Sequence, residues 1–307
     1  MKKIAAIGTL FALTLSGASQ PGPDALPART GAGAEFFYSA DSDNNEVSRA
    51  AIDLDISNRG EGRRLGVRVE RAWYNPGGNA PTSRDRVYLQ AADVLGDWDV
   101  RARVGTDGDS VVGSVSANDH SRYRKEVFVE RDIVETRQGL ARGIYSTFAG
   151  AAVDVPLDER NVVTGLVGVQ DFTGENVRTH LRGSYVHVVR PELGLSAQLR
   201  GRYFHSSDPN EYDYYSPRWY AELLPVLQLR RFINGWEAVG AAGVGVQRDS
   251  ESDWRSSRYA HARFRSPAAS GWSANGAITY TNTPSLTGAN QSGYSYVQVL
   301  LGISTRF

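Results

Sequence analysis

The 307-residue sequence predicts an all-β fold, a transmembrane antiparallel β-barrel of about 16 strands with both termini periplasmic. Three observations predict it. Extended segments of roughly ten to fifteen residues with period-two alternation recur through the chain, the length that tilted membrane-crossing strands need. The connections alternate between short turns and longer polar loops. The last segment carries its apolar alternation to the C-terminal residue, Phe307, where the ends of soluble domains usually fray.

The N-terminus reads as a secretory signal over 1–19. Lys2 and Lys3 give a positive start, residues 4–15 an apolar stretch too short to span a bilayer as a helix, and Ser16-Gly17-Ala18-Ser19 small residues for cleavage. Residues 20–31 read as a flexible lead and 32–307 as the barrel. The sequence has no Cys, so neither a disulfide framework nor a Cys-linked lipid anchor is available. Beyond the signal no apolar run is long enough for a membrane helix. A mean hydropathy of −0.38 is compatible with a membrane barrel, because lipid-facing residues alternate with polar lumen residues and the average hides the apolar half. Lys plus Arg and Asp plus Glu both number 34, a formal net charge of zero that gives no basis for a nucleic-acid partner.

Strands are expected over 32–40 and 46–57, either side of the acidic turn Asp41-Ser42-Asp43-Asn44-Asn45-Glu46. Strands 64–74 and 85–95 flank the polar residues 75–84. After Leu95-Gly96-Asp97 come 97–106, 109–118 and 122–135. Strands 141–155 and 160–171 meet at Pro156-Leu157-Asp158-Glu159, and 175–190 meets 193–205 at Arg190-Pro191-Glu192. Strands 218–231 and 235–248 turn at Ile233-Asn234-Gly235. Strands 256–267 and 270–282 turn at Pro267-Ala268-Ala269, and 293–307 closes the set. Longer loops are expected over 75–84, 206–217, 249–255 and 283–292, on the face opposite the short turns. No helix is expected.

Within the strands, Trp98, Val100, Ala102 and Val104 oppose Asp97, Asp99, Arg101 and Arg103. Leu193, Leu195, Ala197, Leu199 and Tyr203 oppose Ser196, Gln198, Arg200 and Arg202. A soluble sandwich also alternates, but its core would not tolerate a repeatedly charged face. Trp73, Trp98, Trp219, Trp236, Trp272 and Tyr280 lie near strand ends, as an interfacial girdle requires.

The face assigned to the lumen carries Arg64, Arg68, Arg101, Arg103, Arg122, Arg124, Arg178, Arg182, Arg200, Arg202, Arg230, Arg263, Arg265 and Arg306. The acids assigned inward are Asp53, Asp55, Glu70, Asp99, Glu126, Glu130, Asp132 and Glu222. The guanidinium is a planar fork that grips carboxylate or phosphate and stacks on rings. The ladder therefore suggests a hydrated passage favouring an anionic or hydroxyl-rich solute, against the plainer possibility that cross-strand Arg–acid pairs brace a filled interior. The loops starting at Asp41, Ser207 and Asp249 are acidic; such carboxylates can hold Ca²⁺ or Mg²⁺ but more often are solvated, and no metal or cofactor is assigned. The five His, at 120, 180, 187, 205 and 261, carry no nucleophile signature, so no catalytic residue and no enzyme activity is expected.

Three further stretches stand out: Gln170-Asp171-Phe172-Thr173-Gly174-Glu175-Asn176, the segment Asp213-Tyr214-Tyr215-Ser216-Pro217-Arg218-Trp219-Tyr220, and the Gly-rich run from Gly235 to Gln247. Together they resemble the C-terminal barrels of the outer-membrane proteins that export poly-N-acetylglucosamine and cellulose, most strongly over 140–307. The resemblance implies a sixteen-stranded outer-membrane barrel through which a polysaccharide leaves the cell. In those families an array of periplasmic helical repeats precedes the barrel; the short lead here implies that a separate chain would supply that scaffold.

The expected partners are outer-membrane lipid and lipopolysaccharide, the barrel assembly machinery reading Phe307, a separate scaffold protein and a polysaccharide. For export, Tyr212, Tyr214, Tyr215 and Tyr220, with Trp219, would offer stacking surfaces at the mouth. The alternatives are a small-solute porin, for which the twelve or so residues of the 206–217 loop look short as a constriction, and a plugged structural or surface-recognition barrel.

Overall fold

A computed structural model describes residues 29–59, 62–77, 80–267, 271–284, 286 and 293–307. The expected signal over 1–19, and the lead up to residue 28, lie outside the described residues. The chain forms sixteen antiparallel strands in one closed barrel, each hydrogen-bonded to its sequence neighbours, with the last strand returning to the first. No helix among the described residues is long and apolar enough to cross a membrane.

The strands are β1 (Arg29–Asp41), β2 (Glu46–Asn58), β3 (Arg64–Asn75), β4 (Thr82–Leu95), β5 (Trp98–Thr106), β6 (Val111–Asp119), β7 (Lys125–Ile133) and β8 (Tyr145–Pro156). They continue as β9 (Asn161–Phe172), β10 (Val177–Arg190), β11 (Leu195–Ser206), β12 (Trp219–Ile233), β13 (Trp236–Asp249), β14 (Ser252–Arg265), β15 (Trp272–Thr281) and β16 (Tyr296–Arg306). Strand β1 starts at Arg29, inside the segment expected to be a flexible lead, because Arg29 to Gly31 find partners on β2 and β16. Closure runs in register from the pair Gly31–Arg306 to Asp41–Tyr296. The backbone N–H of Phe307 then donates to Thr30 O at 3.1 Å, so the terminal residue extends the seam. An even strand number places both ends of the barrel on one rim, here the terminal rim, with the connections after odd strands on the loop rim.

Alternation sorts the side chains as the sequence requires. Ile52, Leu54, Val69, Leu89, Val167, Leu181, Leu227, Val244 and Ile303 are exposed on the outer surface. In a soluble protein so continuous an apolar exterior would aggregate; in lipid it is the surface that matches the solvent. Trp98, Trp236 and Trp272 open strands at the terminal rim, whereas Trp73, Trp219, Trp254 and Tyr280 sit towards the loop rim, giving two aromatic bands. The Arg248 guanidinium lies 5.9 Å from the rings of both Trp219 and Trp254.

The Gly-rich strand β13 has a specific cause. Pro225 in β12 has no N–H, and the β12–β13 pairing skips from Leu223–Val246 to Val226–Gly243. The backbones approach so closely there that a Cβ on Gly243 would sit 2.4 Å from Pro225 O, and one on Gly245 2.1 Å from Leu223 O. The β12–β13 turn uses Asn234 and Gly235 at φ 51° and 83°, the left-handed pair a two-residue hairpin needs.

The structure corrects two expectations at the loop rim. Strand β14 begins at Ser252, with only two residues between it and the end of β13, so the long 249–255 loop is a tight turn. The connection after β7 is not a simple turn but an insert, Val134 to Ile144, containing the short helix α1 (Arg137–Arg142). Thr136 caps α1 by accepting from Gly139 N at 3.1 Å, and Gly143 ends it at φ 67°. Leu140 belongs to one buried cluster with Val47, Ala72, Tyr74, Tyr88 and Val112, inward residues of β2, β3, β4 and β6, so the insert lies inside the barrel mouth. Six residues are too few to show a helical period, which hid α1 in the sequence.

Candidate functional site in the barrel lumen

The lumen has two walls of opposite character. On one, β1 to β4 and β7 present a dense ion-pair network. Arg68, 3% exposed, holds Glu35 at 2.5 Å, Asp53 at 3.1 Å and Glu70 at 3.0 Å. Arg86, 1% exposed, joins Glu70 at 3.3 Å to Asp132 at 2.9 Å and donates to the Tyr74 hydroxyl. Arg49 reaches Asp132 at 3.8 Å and also pairs with Glu135. Strands β4 and β7 are not neighbours, nor are β2 and β7, so these side chains reach over the inward faces of the strands between. Five carboxylates against three guanidiniums leave this set acidic.

The other wall, β9 to β12, sets Arg178, Arg182, Arg200 and Arg202 against one inward carboxylate, Glu222. Arg182 and Arg202 are direct cross-strand partners, and Arg202 faces Glu222. Like charges directly opposite destabilise a sheet unless something offsets them. Part of the offset is aromatic: Arg182 lies 5.6 Å from Phe148, Arg200 4.9 Å from Tyr259 and Arg202 4.7 Å from Tyr220, with each guanidinium over a ring. Arg200 also donates to Gln198. Nearer the terminal rim, Glu237 pairs with Arg230 at 2.7 Å and Arg263 at 3.1 Å.

Of the residues assigned to the passage, Arg64, Arg68, Arg101, Arg103, Arg178, Arg182, Arg200, Arg202, Glu222, Arg263 and Arg265 all fall on inward positions of the register. They do not share one role. Arg68 is walled in by three acids. Arg178 is buried, donates to Tyr215 O at 2.5 Å and lies 4.3 Å over Phe204, so it supports a loop and does not line an open path. Arg122 lies in the β6–β7 connection, exposed, with its guanidinium over Tyr123 at 5.6 Å, and is not a lumen residue.

The mouth aromatics are corrected as well. Tyr214, Tyr215 and Tyr220 are at most 4% exposed and offer no free stacking face. Tyr214 stacks on Phe172 at 4.4 Å, Tyr215 donates to Asp249 at 2.6 Å, and Tyr220 stacks on Phe204 at 5.2 Å. Burial and the Asp249 bond push the Tyr215 phenol well above its ordinary value, holding it as a donor. Tyr212 is half-buried, with Arg142 of α1 5.6 Å over its ring. These residues form a cap. Asp213 accepts from the Thr136 hydroxyl at 2.6 Å and Gln138 N at 2.8 Å, tying the β11–β12 loop to the α1 insert. The β15–β16 connection joins it through Tyr215 N to Leu286 O at 3.0 Å and Arg202 to Pro284 O at 3.1 Å.

Sequence reasoning missed Arg86, Arg49, Glu35 and Glu237. Their inward parity was readable; their burial depends on register across several strands. Among the described residues no cluster of three potential metal ligands occurs, the acidic loops included.

No protein-family model and no curated protein matches the sequence. Solved structures do match. A bacterial polysaccharide outer membrane secretin superimposes with a TM-score of 0.65 at 13% identity, over 90% of this chain and 98% of that one. OmpT, an outer membrane protein of Vibrio cholerae, gives 0.46 at 9% identity, over 92% and 100% of the two chains. The outer membrane protein OprD from Pseudomonas aeruginosa gives 0.43 at 8%, over 91% and 94%. The likeness is one of fold. The neighbours in that fold are bacterial outer-membrane barrels.

Proposed function

We propose that the chain is an outer-membrane barrel that gives a polysaccharide a hydrated, Arg-lined passage out of the cell, without catalysing a reaction. The observation that carries this reading is the basic, aromatic-backed wall of β10 and β11, enclosed in a barrel whose outer surface suits lipid. The fold likeness to a polysaccharide outer membrane secretin supports it. On this reading the terminal rim is periplasmic, the loop rim meets lipopolysaccharide, and Phe307 is read by the assembly machinery after a signal is cleaved. A separate periplasmic scaffold would deliver the polymer. Deleting the gene and staining for surface polysaccharide tests it; unchanged surface polymer refutes export.

A second reading is favoured by the ion-pair network and the cap, which fill one wall and one mouth: a plugged structural barrel. Single-channel recording of the refolded protein separates the two. Steps of open conductance support a passage, with or without a polymer as cargo; a silent membrane supports the plug.

A further inference from the structure

Four buried polar atoms of the basic wall lack a hydrogen-bond partner among the described residues: Arg182 Nε, Arg202 Nε, Ser184 Oγ and His180 Nδ1. Unpartnered buried atoms occur elsewhere in the barrel too, the Nε of Arg49, Arg86 and Arg230 among them, but those three belong to Arg side chains ion-paired to carboxylates. His180, Arg182 and Ser184 are successive inward positions of β10, and Arg202 is the direct cross-strand partner of Arg182. A buried polar group left unpaired is costly, and a native structure that gathers several in one place calls for something to satisfy them. Protein groups elsewhere already hold their neighbours: the second nitrogen of His180 pairs with Gln170 Oε1 at 3.2 Å, and Arg202 uses another nitrogen for Pro284 O.

The kind of ligand follows from charge and geometry. Arg182 has no carboxylate within ion-pair distance among the described residues, whereas Arg202 Nε faces Glu222 Oε2 at 3.9 Å, the other Glu222 oxygen accepting from the Thr283 hydroxyl at 2.7 Å. Two guanidiniums side by side therefore have one acid between them, and it pairs with Arg202. Phe148 lies 5.6 Å from the Arg182 guanidinium and Tyr220 4.7 Å from that of Arg202; Arg202 already turns Nε to Glu222 and another nitrogen to Pro284 O, whereas Arg182 keeps its N–H edge without a protein acceptor among the described residues. An oxyanion satisfies such an edge, and His180 and Ser184 flank Arg182 on the same inward face of β10.

We propose that His180, Arg182, Ser184 and Arg202 form a binding subsite for an oxyanion-bearing saccharide unit, its carboxylate or phosphate held between the two guanidiniums. The proposal rests on the polysaccharide reading for the sugar but not for the anion.

The test is calorimetric titration of the refolded full chain with trigalacturonate, inorganic phosphate and neutral maltotriose. Trigalacturonate is expected to bind, weakening with salt, with affinity about tenfold lower in Arg182→Gln, the loss of one charge-assisted bond. Arg182→Lys, which keeps the charge without the fork, should recover part of it, and Arg190→Gln at the exposed end of β10 should change nothing. Maltotriose binding as tightly as trigalacturonate, or an unaltered affinity in Arg182→Gln, overturns the subsite. Phosphate binding without trigalacturonate binding overturns the saccharide assignment. Conductance recorded on the same preparations keeps the two readings apart. A conducting barrel that ignores trigalacturonate loses the subsite and keeps the passage; a silent one that binds it keeps the subsite and loses the passage.

Discussion

Replacing Arg86 by Met tests whether the ion-pair network holds the barrel wall together. Arg86 is 1% exposed and bridges Glu70 on β3 to Asp132 on β7, with Tyr74 on a third contact. Removing one partner of a buried pair strands the other, which typically costs about 3–5 kcal/mol. Here each acid keeps a second cation, Glu70 with Arg68 at 3.0 Å and Asp132 with Arg49 at 3.8 Å, so the lower end applies, about 3 kcal/mol. For a chain of this size the urea slope lies near the upper end of the usual range, about 3 kcal/mol/M, so the midpoint should fall by about 1 M. The assay is urea unfolding in detergent micelles followed by Trp fluorescence. Pairing the variant with Asp132→Asn in a double-mutant cycle should give a coupling of about 1 kcal/mol or more. An unchanged midpoint, or strict additivity, refutes the claim that this bridge is made in the folded barrel.

Three further outcomes are expected. Asp213→Ala removes both bonds that tie the β11–β12 loop to α1, and channel recordings should show larger or more frequent openings; identical traces would mean the cap is held elsewhere. Thr136→Ala, which deletes the α1 N-cap, should lower stability by about 1 kcal/mol in the same urea assay. Asp107, in the β5–β6 turn, would be pushed up by burial, but the Tyr145 hydroxyl, the N–H groups of Ser110 and Asp109, and Arg84 outweigh this and hold it below the usual carboxylate range. A depressed carboxyl stabilises the fold above its unfolded value and loses that contribution as pH falls through the folded value. Unfolding midpoints should therefore drop below about pH 4, and less steeply in Asp107→Asn.

Strand number and closure were legible because both depend on local signals. Period-two runs, turn pairs such as Asn234-Gly235 and the apolar sequence of β16 each report on a few neighbouring residues, and each of the sixteen strands overlaps an expected segment, with ends displaced by up to four residues at β8 and β14. The lumen was legible only as parity. That Arg68 and Arg182 both face inward follows from alternation; that one meets three acids and the other none follows from the register of strands 33 and 20 residues away. The mouth was least legible. Tyr214 and Tyr215 read as exposed loop aromatics, but Tyr214 is buried in one cluster with Val134 and Ile144 of the insert, and Tyr215 is buried with Phe204 and Tyr220 and tied to the β15–β16 connection, segments with no period of their own.

Arg178 and Arg182 show how far that distinction reaches. They stand four residues apart on one face of β10, so sequence gives them one role. The structure gives them two. Arg178 donates to Tyr215 O and lies over Phe204 and Phe172, so its charge is spent on a loop backbone and two rings. Arg182 makes no protein hydrogen bond through its buried Nε. Arg178→Gln should therefore lower the urea midpoint and loosen the cap, the lost charge-assisted bond alone amounting to about 1.5–3 kcal/mol. Arg182→Gln should leave the midpoint unchanged or raise it, because it removes a like-charge neighbour from Arg202. The opposite ranking would mean that Arg182 is the structural residue and that the basic wall is a brace, with no subsite in it.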